Sequence, residues 1–98
     1  MNPLKIKTIE TYNQNSKQIA EKSTEYFDNY KYLADEFLAE LRDRQYPRHA
    51  YTSILDLGCG SGDAVAYMHR KFYGVKAMGI DLSEGMLEEA RKKNVQVK

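Results

Sequence analysis

The chain has 98 residues, with 15 basic and 14 acidic side chains that leave a formal charge of +1. That length fits one small domain, and so even a balance offers no electrostatic footprint for nucleic acid or an anionic membrane surface. A single cysteine rules out an internal disulfide and agrees with a reducing, cytoplasmic setting. The N-terminus is too polar for a signal peptide, and no apolar run approaches the length of a membrane span. Internal repeats and low-complexity segments are absent from the sequence.

Residues 1 to 7 read as a frayed lead-in. From Thr8 to about Ser23, the residues Ile9, Tyr12, Ser16, Ile19, Ala20 and Ser23 recur at helical spacing and form a weakly apolar face. The cluster Asn13-Gln14-Asn15-Ser16 has poor helix propensity and marks a place for a break. Tyr30, Leu33, Ala34, Phe37, Leu38 and Leu41 then predict an amphipathic helix over Asn29–Arg44, with apolar faces suited to covering a sheet. Pro47 prevents its continuation, so Gln45–Thr52 is read as a linker.

The next stretch is Ser53-Ile54-Leu55-Asp56-Leu57-Gly58-Cys59-Gly60-Ser61-Gly62-Asp63, an apolar run followed by glycines at alternate positions. It predicts a strand ending in a tight turn that feeds a helix over Ser61–Lys71, striped by Val65, Met68 and Phe72. Glycine lets a ligand approach the backbone closely, and a helix start contributes unpaired N–H groups and the positive end of its dipole. Asp63 suits that dipole and is a candidate contact for a ligand amino group. Cys59 stands between glycines, where a small packing residue is needed. His69 has no partner at metal-ligand spacing, so a surface or packing role fits it better than a metal site.

Val75-Lys76-Ala77-Met78-Gly79-Ile80-Asp81 is a second strand that ends in a carboxylate. Ser83 reads as the N-cap of a helix whose apolar face is Met86, Leu87 and Ala90. Arg91-Lys92-Lys93 reads as its solvated last turn, Asn94 as a C-terminal cap, and Val95-Gln96-Val97 as the start of a third strand. An acid about 20 residues after a glycine turn is the arrangement that holds a ribose hydroxyl pair at the carboxyl end of a parallel sheet. A dinucleotide fingerprint wants a glycine where Asp63 stands, which disfavours a nucleotide-dependent oxidoreductase.

At these residues the chain resembles the class I S-adenosylmethionine-dependent methyltransferases. Leu55-Asp56-Leu57-Gly58-Cys59-Gly60-Ser61-Gly62 is similar to their first motif, and Gly79-Ile80-Asp81-Leu82-Ser83-Glu84-Gly85-Met86-Leu87 to their second. The likeness covers roughly residues 50 to 95. It implies an α/β, Rossmann-like partial parallel sheet of two to three strands behind an N-terminal pair of helices. Residues 1–47 then form a helical leader or lid and residues 48–98 the first half of a cofactor-binding domain. The implied cofactor is S-adenosylmethionine, with S-adenosylhomocysteine as product. Asp56 and the loop Gly58, Cys59, Gly60, Ser61 and Gly62 are expected to border its methionine end, Asp81 to accept from both ribose hydroxyls, and Leu82 to contact the cofactor. Small-molecule members of the family look similar in the leader, where a Tyr-bearing helix folds over the cofactor. That likeness makes Tyr12 and Tyr26 candidates.

The family sheet is ordered 3-2-1-4-5-7-6, so the resemblance implies that this chain supplies strands one and two, with a third beginning. The adenine-binding acidic turn, the fourth strand and any catalytic base are expected to be missing. An unpaired edge on Ile54–Leu57 implies self-association as a homodimer, by edge pairing or by exchange of the helical leader. The functional expectation is methyl transfer to a small-molecule acceptor. The alternative is a non-catalytic module that binds S-adenosylmethionine or its product.

Overall fold

The computed structural model describes residues 1–44, 52–71 and 75–98. Its elements are α1 (Pro3–Gln14), α2 (Ser16–Arg44), β1 (Thr52–Leu57), α3 (Asp63–Lys71), β2 (Val75–Ile80), α4 (Glu84–Arg91) and β3 (Gln96–Val97). The three strands are parallel in the order β1-β2-β3, with Ile54 beside Ala77, Leu55 beside Met78 and Gly79 beside Val97. Lys98 prolongs the β2–β3 ladder, because its N–H donates to Gly79 O and its carbonyl accepts from Asp81 N.

Strands that succeed one another in one direction need right-handed crossovers, which place α3 and α4 on the same face of the sheet. α2 packs on that face too. The core there joins Leu38 of α2, Val65 and Met68 of α3, and Ala77 of β2, with Ile54, Cys59 and Val95 packed against it. Burial of side chains this size contributes about 1.5–3 kcal/mol each. On the opposite face Leu55 is 52% exposed and Leu57 71%, while Met78 and Ile80 are half-buried. The α/β architecture with parallel strands and N-terminal helices is therefore as the sequence implies. Among the described residues, no helix is long and apolar enough to cross a membrane.

The leader departs from expectation in two ways, its helical start and its unbroken second helix, and keeps the break that the Asn13–Ser16 cluster marks. Residues 3–7 are helical, because the Asn2 side chain accepts a hydrogen bond from Leu4 N at 2.7 Å and Pro3 sits in the first turn, where its missing N–H is harmless. The interruption falls at Asn15, whose φ of −116° and ψ of 19° end α1, while its N–H still reaches Thr11 O. Beyond it, α2 runs for 29 residues without the separation expected between Ser23 and Asn29. No glycine or proline interrupts Ser16–Arg44, and this continuity outweighs the weak pattern around Ser23.

The apolar stripe of α2 is only partly used. Leu38 is buried and Ala34 and Leu41 are half-buried, whereas Tyr30, Leu33 and Phe37 are exposed. Polar and aromatic contacts complete its attachment to α3. The Tyr67 hydroxyl donates to Asp35 Oδ1 at 2.6 Å, and the Phe27 and Tyr67 rings meet edge to face at 5.5 Å. Lys71 stands 5.4 Å from the centre of the Tyr67 ring. Pro47, the linker up to residue 51, and Phe72 lie outside the described residues.

Gly79 explains how closely the first turn lies on β2. A Cβ there would come within 2.5 Å of both Cβ and Sγ of Cys59 and 3.2 Å of Val65 Cγ2. Gly79→Ala is expected to lower stability by about 1–3 kcal/mol, the usual range for overpacking. The midpoint of urea unfolding reads the loss directly.

Candidate cofactor-binding cleft

The turn after β1 is stapled to the end of β2. Gly58 N and Cys59 N both donate to Ile80 O, at 2.8 and 2.9 Å, and Gly62 N closes the turn on Cys59 O at 2.9 Å. Gly58 and Gly60 have φ of +74° and +54°, a region that side-chain-bearing residues rarely adopt. A Cβ on Gly58 would meet nothing within 4 Å, and one on Gly60 would meet only Met86 Cε, at 3.7 Å. These two glycines keep space open. Gly62 does a different job, since its missing Cβ would stand 3.0 Å from Ala90 Cβ and 3.2 Å from Val95 Cγ2. It lets α4 press against the turn.

Asp81 projects from the end of β2 into the same turn. Its Oδ2 accepts from Gly60 N and its Oδ1 from Ser83 N, each at 2.8 Å. A carboxylate has about four lone-pair directions, so two such bonds leave capacity for a ligand. Ser83 caps α4 as expected, accepting from Met86 N at 3.2 Å.

Asp63 has little freedom, with its side chain only 12% exposed. Its carboxylate accepts from the Ser61 hydroxyl at 2.7 Å and from the Thr24 hydroxyl of α2 at 2.8 Å. Lys93 lies 3.8 Å from it and donates to Ser61 O at 2.7 Å. The basic run was therefore only partly foreseen. Arg91 pairs with exposed Glu84 and Lys92 with the largely covered Glu89, whereas Lys93 turns inward to brace the turn.

Between this end of the sheet and the leader lies a cleft of about 970 Å³. Tyr12, Tyr26, Gly58, Cys59, Gly60, Ser61, Asp81 and Leu82 all line it, as does Asp63. Gly62 does not, which agrees with its packing role. Asp56 faces a second, smaller groove of about 350 Å³ between α2 and β1, shared with Phe27, Tyr30 and Phe37. Burial there, and secondarily the charge of Asp81, hold its carboxyl above the usual carboxylate range. Sequence reasoning missed Thr8, Ile9, Ile19, Phe27, Met86 and Lys98 as lining residues. Helical periodicity marks a face, and only the elbow at Asn15 decides which part of it overhangs the cleft.

The chemistry of the walls suits S-adenosylmethionine. The tyrosines with Ile9, Ile19, Phe27 and Met86 supply apolar and aromatic surface for a purine and a sulfur chain, while Asp81 supplies acceptors for hydroxyls. No phosphate has to be met, so a cleft without a cluster of arginines is adequate.

Cys59 is packed against Gly79, and burial, then Asp81 and Asp56, push its thiol pKa up to about 11. Iodoacetamide at pH 8 is expected to label it more slowly than the unfolded chain. Because the folded pKa lies above the ordinary thiol value of about 9, the thiol's contribution to stability is intact below about pH 9 and is lost as pH rises toward 11. Labelling at the rate of the unfolded chain contradicts this environment.

Residues 54–98 match a family described as a methyltransferase domain. The trans-aconitate 2-methyltransferase of Deinococcus radiodurans is 35% identical over 65 residues, which cover 64% of this chain and 25% of that protein. The enzyme of the same name from Afipia carboxidovorans is 35% identical over 68 residues, covering 67% and 27%. The ubiquinone/menaquinone biosynthesis C-methyltransferase UbiE of Desulfotalea psychrophila is 48% identical over 40 residues, covering 41% and 16%. Thus the chain spans about a quarter of the length of the trans-aconitate methyltransferases it matches. Among solved structures, YjhP from E. coli superposes with a TM-score of 0.53 at 25% identity, covering 72% of this chain and 28% of that one. The plantazolicin methyltransferase BpumL, solved in complex with SAH, shares the fold with a TM-score of 0.59 at 20% identity, covering 94% and 40%. With both glycine and acid motifs meeting at one end of a parallel sheet, residues 54–98 carry part of a class I S-adenosylmethionine-dependent methyltransferase domain.

Proposed function

We propose that the cleft binds S-adenosylmethionine and that the chain is the donor-holding part of an enzyme that methylates a small molecule. The observation that carries this reading is the 2.8 Å hydrogen bond from Gly60 N to Asp81 Oδ2, which brings the open turn and the acid to a single site. Asp81 accepts from the ribose hydroxyls, and the space left by Gly58 and Gly60 admits the methionine end against the backbone. Tyr12 and Tyr26 enclose the ligand from the leader and keep water away from it. When bound, the cofactor supplies an electrophilic methyl group for in-line attack by the acceptor, a reaction that depends heavily on positioning.

A small acceptor is supported by the even charge of the chain and by the names of its relatives, trans-aconitate 2-methyltransferase and ubiquinone/menaquinone biosynthesis C-methyltransferase. Self-association belongs to the same proposal. Among the described residues β1 pairs only with β2, so its other edge is open to a second copy or to an exchanged leader. Sedimentation at micromolar concentration is expected to show a dimer, and a well-folded monomer refutes this part.

Calorimetric titration is expected to show binding of S-adenosylmethionine and S-adenosylhomocysteine but not NAD. Asp81→Ala removes hydrogen bonds to a charged group, each about 1.5–3 kcal/mol, so affinity falls at least tenfold, or about 1.4 kcal/mol. Because Asp81 also anchors Gly60 and Ser83, the variant's folding is followed by circular dichroism. Unchanged affinity in a folded variant refutes the ribose assignment, and preference for NAD refutes the cofactor.

A further inference from the structure

The elbow between α1 and α2 is fastened to the first turn of α4 by one side chain. Asn13 Oδ1 accepts from the Ser83 hydroxyl at 2.6 Å and from Gly85 N at 2.8 Å. Gly85 is shaped to this contact. A Cβ there would lie 2.9 Å from Asn13 Cα and 3.0 Å from both Asn13 O and Ser16 Oγ. Side-chain bonding and backbone fit thus mark the same seat independently.

Little else secures α1. None of its residues is buried, yet Thr8, Ile9 and Tyr12 from this helix line the cleft. Hydrophobic burial that slight cannot outweigh the entropy of ordering a helix, so specific polar bonds decide where it rests. Ser83 connects that resting place to the chemistry. Its hydroxyl donates to Asn13 while its N–H donates to Asp81 Oδ1, and Asp81 Oδ2 in turn accepts from Gly60 N. One continuous chain of hydrogen bonds runs from the elbow to the glycine turn. The helical path is already interrupted at Asn15, two residues on, so α1 can swing there without breaking α2.

We propose that Asn13 is a positioning residue that holds α1 as a roof over the cleft, so that its release about Asn15 controls ligand exchange. The mechanism rests on the cleft being the cofactor site, but the fastening itself does not. The core of Leu38, Val65, Met68 and Ala77 is not touched by Asn13, so its variants are expected to fold.

The test has a ligand-free arm and a ligand arm. In the ligand-free protein, hydrogen exchange of amides 4–14 is expected to quicken about tenfold in Asn13→Ala, on the scale of two lost hydrogen bonds, and likewise in Gly85→Ala, while β2 amides keep their protection. Asn13→Asp retains an acceptor oxygen beside a helix N-terminus and is expected to restore slow exchange. Stopped-flow dissociation of S-adenosylhomocysteine should accelerate about tenfold in the first two variants and return toward wild type in the third. Equal exchange of α1 in wild type and Asn13→Ala overturns the fastening. Faster exchange with unaltered ligand dissociation overturns its control of the cleft. No binding by the wild-type chain overturns the cofactor reading, and the exchange comparison still decides the fastening.

Discussion

The carboxylate of Asp81 is the joint on which the site depends. It takes one N–H from the turn after β1 and one from the loop before α4, so two crossovers separate in sequence are tied at the end of one strand. Hydrogen bonds to an ionised acceptor are among the stronger ones available to a protein. Here they fix loop geometry rather than join elements that packing already holds. The turn's other bonds, from Gly58 and Cys59 to Ile80 O, only make sense with β2 at this height. Parallel pairing of β1 with β2 therefore sets the site, and Asp81 locks it.

Much of this was legible because it depends on local chemistry at short spacing. Apolar runs flanked by glycine and by an acid specify strands, and Ser83 before Met86, Leu87 and Ala90 specifies a capped helix. Other features depend on partners far along the chain. Asn13 reads as a poor helix former, yet its value lies in groups about 70 residues away. Lys93 reads as solvated charge, but Ser61 O and Asp63 sit where its ammonium can reach. Asp56 shows how strand alternation places a motif residue. It stands two residues from Gly58, but strand alternation turns it toward the α2 groove.

The glycines show the same point at finer scale. Their alternate spacing suggests one shared purpose, a backbone stripped for a ligand. In the fold Gly58 and Gly60 border open space, Gly62 admits α4, and Gly79 admits the turn itself. Ligand access and close packing impose the same residue type for unrelated steric reasons, and only three-dimensional neighbours separate them. Cys59 belongs with the packing group through its contact with Gly79.

The unbroken run of α2 has a mechanical consequence. About two-thirds of the way along, the helix is gripped at Asp35 by Tyr67, and 11 residues toward its start Thr24 reaches Asp63 beside the glycine turn. At 1.5 Å per residue these points are about 16 Å apart on one stiff rod. With Asp35 as fulcrum, a tilt of about 10° carries Thr24 about 3 Å, as far as the hydrogen bond it makes is long. A rod this stiff links the seat of Asp35 on Tyr67 to the Thr24–Asp63 bond beside the glycine turn, so a tilt at the first would be felt at the second.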